Sequence, residues 1–292
     1  MNESVGRVTA LWRFPVKSMQ GETLDEVALT AGGFAGDRAY AVIDTETGHV
    51  VSAKSTRRFP GMLQCAAAFT DAPEAGKPVP PVRVTLSDGT SVVSGEPGAD
   101  TTLSRYFGRE VRLAPGAPDD FTIDHSPADD ATGLTEGTEV PQKLGAALFA
   151  ESGSPSPVPP GALFDLFPVS VLTTSTLDAL RRIRPESAFD ARRFRMNVIV
   201  ASDEQGFVEN GWVERGLAMG DQVRLRVTMP DPRCVMVTLE QDELAADAAI
   251  LRTLAQHNAV PAGGGRPMPC AGVYAIVEAP GTLRVGDAVA VA

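Results

Sequence analysis

A mostly β, or α+β, fold is predicted by three features of the 292-residue chain. Residues 1–115 read as short apolar runs broken by Gly, Asp and Pro turns, which is strand composition. Only two later stretches space their apolar residues as a helix does. Nor does the chain show the regular strand–helix alternation of a parallel doubly wound sheet, so barrels or mixed sheets with a few helices remain.

Taken in order, Val5–Phe14, Arg38–Ile43, Val82–Leu86 and Val111–Leu113 have strand composition, and little in that region reads as helical. Residues 115–160 hold eight prolines, eight acidic residues and a single basic one, Lys143, and include the run SGSPSPVPPG. That is the composition of a mobile connection. The expected organisation is therefore one domain at 1–115, a connection at 116–160 and a second domain at 161–292. Val169–Thr173 leads into a helix with a capping-box-like start, Ser175-x-x-Asp178, an apolar face of Leu177, Leu180 and Ile183, and a stop at Pro185. Asn197–Val200 and Val223–Met229 read as strands, the second alternating Val223, Leu225, Val227 and Met229 with polar residues. A second helix is expected over Asp242–His257, with Leu244, Ala248, Leu251 and Leu254 on one stripe, before a Gly-rich turn at Gly263–Pro267. Gly272–Val277 and Leu283–Val291 close the chain as strands, and no internal repeat is present.

The net charge of −11 and pI near 4.8 argue against a nucleic-acid partner, which requires a surplus of cations to neutralise phosphates. In so acidic a chain, clustered Lys and Arg carry more information than usual. The N-terminus MNESVGRVTALWRF lacks an apolar signal core, and no window reaches the ~18 apolar residues of a membrane span. A cytoplasmic protein with no membrane partner is expected. Three cysteines, Cys65, Cys234 and Cys270, are too few for a disulfide framework or a four-cysteine metal site. Motifs of hydrolase elbows, P-loops and dinucleotide folds are missing as well.

Two features carry chemistry. Cys234 follows Met229-Pro230-Asp231-Pro232-Arg233, where two prolines end a strand and present a rigid loop, and the neighbouring Arg233 favours a thiolate, a soft-metal ligand. The same thiol also reads as a small core hydrophobe, and spacing leaves both readings open. Cations gather near expected strand ends: Lys17 in FPVKS, Arg38 in GDR, and Lys54, Arg57 and Arg58 in SAKSTRRFP. Converging on one pocket they would hold a polyanion; dispersed, they are ordinary solvated charges. His49, His125 and His257 show no zinc spacing.

Several segments, in order, resemble the MOSC (molybdenum cofactor sulfurase C-terminal) family with its N-terminal β-barrel domain, of the amidoxime-reducing type. They are LWRFPVKSMQGETLDEV, GGFAGDRAYAVID, FDLFPVSVLTTSTLDAL, RRFRMNVIV, PRCVMVTLE and AGVYAIVEAPGTLRVGDAV. The resemblance implies a β-barrel domain followed by a MOSC domain, with a molybdenum cofactor, Mo-molybdopterin, between them. Lys17, Ser18 and Arg38, with the nearby Lys54 and Arg57, would hold it from one side, and Arg195, Asn197, Arg233 and Tyr274 from the other. Cys234 would be the thiolate on molybdenum, and Asp165 a proton donor beside the metal. The implied activity is reduction of a small N-hydroxylated substrate with electrons from a separate donor protein. A cofactor or sulfur carrier with a persulfide on Cys234, or a biosynthetic role without molybdenum, are the alternatives. Leu166, Phe167 and Pro232 stand where such proteins often carry small hydroxyl residues, which bears on cofactor contacts and on the substrate pocket.

Overall fold

The computed structural model describes residues 3–126, 139–263 and 265–292. Seven strands close into a barrel: Val169–Thr173, Val198–Ala201, Glu3–Arg13, Ala288–Val291, Gly216–Met219, Val223–Pro232 and Pro267–Ala279, the last pairing back onto Val169–Thr173. Most pairs are antiparallel; Val169–Thr173 and Val198–Ala201 run parallel, which the helix Thr174–Ile183 makes possible by crossing over between them. Period-two patterning sets which face is inside. Val223, Leu225 and Val227 are buried while Arg224 and Arg226 face solvent. Val5, Val8 and Leu11 from the first strand meet Val169, Val198, Leu217, Val273 and Val289 in the barrel interior. Each such side chain contributes about 1.5–3 kcal/mol on full burial.

The regions expected on either side of residue 115 are tied together through this barrel. Glu3–Arg13 is a barrel strand, paired with Val198–Ala201 and Ala288–Val291, and Glu26–Thr30 pairs with Gly281–Arg284 near the C-terminus. A strand goes where its apolar face finds cover, and here the cover lies at the far end of the chain. The second body holds the pair Tyr40–Asp44 and Val111–Pro115 and the sheet Ala66–Phe69, Val82–Thr85 and Ser91–Val93, around Val42, Val51, Met62, Val84 and Leu103.

That region contains a helix absent from the expectation, Ala99–Phe107, whose Ala99, Leu103 and Phe107 are buried at four-residue spacing between left-handed Gly98 and Gly108. The expected connection 116–160 is largely folded too. Thr122–His125 and Val140–Lys143 form a hairpin, Gly145–Ser152 is helical, and Phe121, Ile123, Leu144 and Leu163 share a core with Ala41 and Ile43. Residues 127–138 of that connection, and Gly264 of the expected Gly-rich turn, lie outside the described residues.

The first expected helix is present, but its cap is Thr173, whose hydroxyl accepts from Thr176 N at 3.1 Å; Ser175 Oγ instead donates to Glu204 O and Gly206 O. The second is shorter than expected, Ala249–His257. Its expected first turns are held open because the Ala245 carbonyl accepts from Arg193 Nη2 at 2.6 Å and Gln241 pairs with Leu244. The strand expected over Leu283–Val291 is broken at Gly286, whose φ of 94° makes a turn. No helix among the described residues is long and apolar enough to cross a membrane.

Candidate functional site

A cavity of about 410 Å³ opens where the barrel meets the second body. Its first wall grows from the turn after the strand Glu3–Arg13. Asp37 Oδ1 accepts from Phe14 N at 2.8 Å, Lys17 N donates to Tyr40 O at 2.9 Å, and the chain bends so that Ser18 has a φ of 64°. Arg38 follows Gly36-Asp37 with a φ of 48°, and Arg195 closes the short helix Ala191–Phe194 with a φ of 55°. Three of the five described non-glycine residues with left-handed backbone thus line one cavity. Such conformations cost on the order of 1 kcal/mol or more each and persist only where surroundings impose them. At Arg38 the neighbouring Asp37 supplies such a restraint: its carboxylate ion-pairs with Arg38 and accepts from Asn197 Nδ2 at 2.8 Å. Arg38 Nη2 donates to Arg195 O at 2.9 Å, and both guanidinium carbons sit over the Phe14 ring, at 4.5 and 4.4 Å. Burial, and then the charge of Arg38, lower the Arg195 pKa to about 9. No carboxylate ion-pairs with Arg195 among the described residues.

Two ammonium groups clamp Asp165. Lys54 Nζ lies 2.6 Å from Oδ2, and Lys17 Nζ pairs with Oδ1 while donating to Leu163 O at 3.1 Å. Burial, with Lys54 and Arg38 nearby, pulls the Lys17 ammonium below its ordinary range. Burial of Lys54 acts in the same direction but is outweighed by Asp165 and Cys234, so that group is raised. Burial of Asp165 works to raise its carboxyl and is overcome by Lys17 and Lys54, which hold it far below the usual carboxylate range. Asp165, expected as a proton donor, thus sits between two ammonium groups that favour its anionic form.

The third wall is the cysteine loop. Rather than ending at Met229, its strand runs to Pro232, with irregular register at the prolines, where Pro230 faces Val273 and Pro232 faces Cys270. Arg233 N donates to Pro269 O at 2.7 Å, Nη2 to Phe194 O at 2.6 Å, and Nη1 pairs with Asp231 Oδ2 at 2.5 Å. Cys234 then opens the turn Val235–Thr238 and lines the cavity, partly exposed. Cys65 and Cys270 are wholly buried, and burial pushes their thiols up to about 11 and about 12. Behind the loop, Arg193 is 1% exposed and donates to the carbonyls of Ala188, Val237, Leu239 and Ala245.

Lys17, Ser18, Arg38, Lys54, Asp165, Arg195, Asn197, Arg233, Cys234 and Tyr274, all anticipated from sequence, line this one cavity. Arg57 does not. It is exposed, off the cavity, with its backbone N donating to Glu139 Oε1 at 3.4 Å. On an irregular turn adjacent cations point different ways, and Arg58 pairs with Asp44 and Asp124 instead. Asp231 went unremarked, although it sits within the Pro230–Cys234 run; burial raises its carboxyl to about 6 against the pull of Arg233 and Tyr274. Ser170, also unremarked, donates its hydroxyl to Asn197 Oδ1 at 3.1 Å. No cluster of three His, Cys, Asp or Glu side chains fit to hold a metal occurs among the described residues.

Residues 5–88 match the family model of the MOSC N-terminal beta barrel domain, and residues 162–290 match that of the MOSC domain. The chain belongs to the MOSC family. It is 27% identical to mitochondrial amidoxime-reducing component 1 of Mus musculus over 310 residues, covering 98% of this chain and 82% of that one. To mitochondrial amidoxime reducing component 2 of Homo sapiens it is 27% identical over 306 residues, covering 98% and 84%. A solved structure of the YuaD protein from Bacillus subtilis superposes with a TM-score of 0.44 at 12% identity, covering 100% of this chain and 98% of that one. In this MOSC protein the cavity lies on the seam between the two matched regions. Lys17, Arg38 and Lys54 come from the first; Arg195, Arg233, Cys234 and Tyr274 come from the second.

Proposed function

We propose that this MOSC protein is a molybdenum-cofactor oxidoreductase that reduces N-hydroxylated substrates with electrons from a separate donor protein. The observation that carries the reading is the accessible Cys234 thiol sharing one cavity with Lys17, Arg38, Lys54, Arg195 and Arg233 in a protein whose net charge is −11. Relatives named for amidoxime reduction, matched along 98% of the chain, give the direction of the chemistry.

The donor set fits a molybdopterin. A cysteine thiolate suits a soft, thiolate-bound metal, and Lys and Arg side chains neutralise a phosphate. Arg233 Nε and Asp231 Oδ1 are buried at this site without hydrogen-bond partners among the described residues, as expected where a polar ligand belongs. Cys234 would ligate the metal, Lys17, Ser18, Arg38 and Lys54 would hold the cofactor from one wall, and Arg195, Asn197, Arg233 and Tyr274 from the other. When bound, the group supplies two-electron redox chemistry. The chain supplies orientation through the strained backbone at Ser18, Arg38 and Arg195, and a drier wall through Leu166 and Phe167.

The test is expression in a host that makes molybdopterin. The wild type should carry up to about one molybdenum per chain, Cys234→Ser should lose it, and Cys65→Ser and Cys270→Ser should keep it. Amidoxime or hydroxylamine reduction should require reduced viologen or a redox protein, because the chain has three cysteines and no iron–sulfur cluster of its own. Metal retained by the Cys234→Ser variant overturns the ligand assignment. A fully loaded protein inert toward N-oxygenated substrates with a competent donor overturns the enzyme reading in favour of a cofactor carrier.

A further inference from the structure

The groups that would hold the cofactor leave one side of the cavity without a role, the side built by the hairpin Thr122–His125 and Val140–Lys143. Resting on the function proposed above, we infer that this hairpin forms the substrate subsite, with the Ser126 hydroxyl and the His125 ring holding the uncharged N-hydroxyl group of the substrate.

Ser126 is 7% exposed and lines the cavity, and its Oγ is buried with no hydrogen-bond partner among the described residues. A buried hydroxyl without a partner is disfavoured, and at a cavity wall the atom that completes it belongs to a ligand. The backbone around it is fixed. Ser126 N donates to Lys54 O at 3.0 Å, and across the hairpin Leu144 N donates to Phe121 O at 2.9 Å and Gly145 N to Asp165 O at 2.8 Å. Gly145 has a φ of 54°, and a Cβ on it would meet Phe164 O at 2.8 Å, so the hairpin's close approach to this wall depends on glycine. Successive side chains of the strand point to opposite faces. Asp124 accordingly meets His49 at 3.0 Å and Arg58 at 2.9 Å, while His125, on the other face, is half-buried and lines the cavity. The His125 ring has no hydrogen bond or ion pair among the described residues. Gln142, opposite Ile123 on the paired strand, lines the cavity as well.

The chemistry of these groups selects the substrate over the cofactor phosphate. From the hairpin the cavity receives a hydroxyl, an imidazole and an amide but neither Lys nor Arg; Lys143 does not line it and lies 3.5 Å from Asp120 instead. A phosphate is better served by the guanidinium and ammonium groups of the other walls, whose hydrogen bonds are charge-assisted. An N-hydroxyl is uncharged and both donates and accepts, as serine and glutamine side chains do. The same stretch of chain adds Leu144 and, from the helix Gly145–Ser152, Leu148. A polar edge continued by an apolar one matches a compound with an N–O group at one end and a hydrocarbon body at the other. Because the N-hydroxyl is what the reaction removes, the reduced product leaves Ser126 unpaired again and is held less tightly.

Three measurements on the wild type, Ser126→Ala, His125→Leu and His125→Gln test the subsite. In molybdenum-loaded protein without an electron donor, where no turnover occurs, equilibrium dialysis of benzamidoxime should give a Kd roughly tenfold higher for Ser126→Ala and for His125→Leu than for the wild type. His125→Gln, which keeps a hydrogen-bonding edge, should lie between. With reduced viologen, KM for the same compound should rise in the same order while kcat and the molybdenum and pterin contents stay near wild type. Urea unfolding without substrate should find Ser126→Ala at least as stable as the wild type, because the hydroxyl it deletes has no partner to lose. A wild-type Kd and KM in Ser126→Ala and His125→Leu overturns the proposal, and so does a clear loss of stability in Ser126→Ala, which would give that hydroxyl a structural partner. Loss of pterin from both variants would assign this wall to the cofactor and overturn it too. A wild type that binds benzamidoxime through Ser126 but does not reduce it with a competent donor upholds the subsite and points to the failure of the underlying function instead.

Discussion

Lys54 meets Asp165 at 2.6 Å although the two stand 111 positions apart in the chain. Because Lys17 takes the other oxygen, the Asp165 carboxyl is held below its ordinary 3.8. A carboxyl lowered in the folded state stabilises the protein above the unfolded pKa and loses that contribution as pH falls through the folded value. Asp165→Asn should therefore be less stable than wild type at pH 7 by urea unfolding, and the gap should close as pH drops below about 4. A gap that stays constant down to pH 3 would show that the carboxylate is not ionised by its lysine partners.

Arg195 and Arg38 stack on the same Phe14 ring and are joined through the Arg195 carbonyl. Buried, and with no carboxylate ion-paired to it among the described residues, Arg195 is poised for an anionic ligand. Arg195→Ala and Arg38→Ala should each reduce pterin retention after gel filtration about tenfold or more, as expected for charge-assisted contacts. Arg252→Ala, at an exposed site, should leave retention unchanged. Equal pterin content in all three variants would remove the seam cavity as the cofactor site.

Two adjacent arginines give an internal comparison. Arg193 is buried on four backbone carbonyls, several of them just beyond Cys234. Arg192 instead sits partly exposed among Asp190, Asp242 and Glu243. Arg193→Met should cost roughly 3 kcal/mol in urea unfolding, because it orphans several buried acceptors at once. Arg192→Met should cost about 1 kcal/mol or less, since its partners remain hydrated. Similar losses for both would mean that the carbonyl grip does not hold the cysteine loop.

Local pattern made much of this legible. Alternation in Val223–Met229 identifies a barrel strand, and short motifs around Lys17, Arg38, Arg195 and Cys234 identify residues that do converge. What stayed hidden depends on distance along the chain. Nothing in ESVGRVTALWR says that its partners are Val198–Ala201 and Ala288–Val291, so composition does not reveal that the two ends of the chain share one barrel. The two lysines that flank Asp165 lie 111 and 148 positions away, so its ion pairs cannot be read from its sequence neighbours. Arg57 and Arg58 are indistinguishable by composition, and only the turn geometry sends Arg58 to Asp44 and Asp124. Asp231 needed both burial and an unpartnered oxygen to stand out, and neither is written in a string of letters.

Phe167 allows a test of what the cavity accepts. Its ring lies 5.5 Å from Tyr274 and 6.2 Å, edge to face, from Phe149, and with Leu148, Leu166 and Met268 it makes one side of the cavity apolar. Lys17, Arg38, Lys54, Arg195 and Arg233 line the same cavity, so it offers a surface both to a cofactor phosphate and to an apolar substituent of the substrate. An added aromatic contact is worth about 0.5–1.5 kcal/mol, a factor of roughly two to ten in affinity. In loaded enzyme with a chemical donor, an aromatic amidoxime should therefore show a KM several-fold below that of a small aliphatic one. Phe167→Ser should raise only the aromatic KM, because the aliphatic substrate has no ring to lose. It should also leave molybdenum content unchanged, as Phe167 carries neither the charge nor the thiol that holds the cofactor. Equal KM values for the two substrates in the wild type, or a loss of molybdenum in Phe167→Ser, would place the ring against the pterin rather than the substrate.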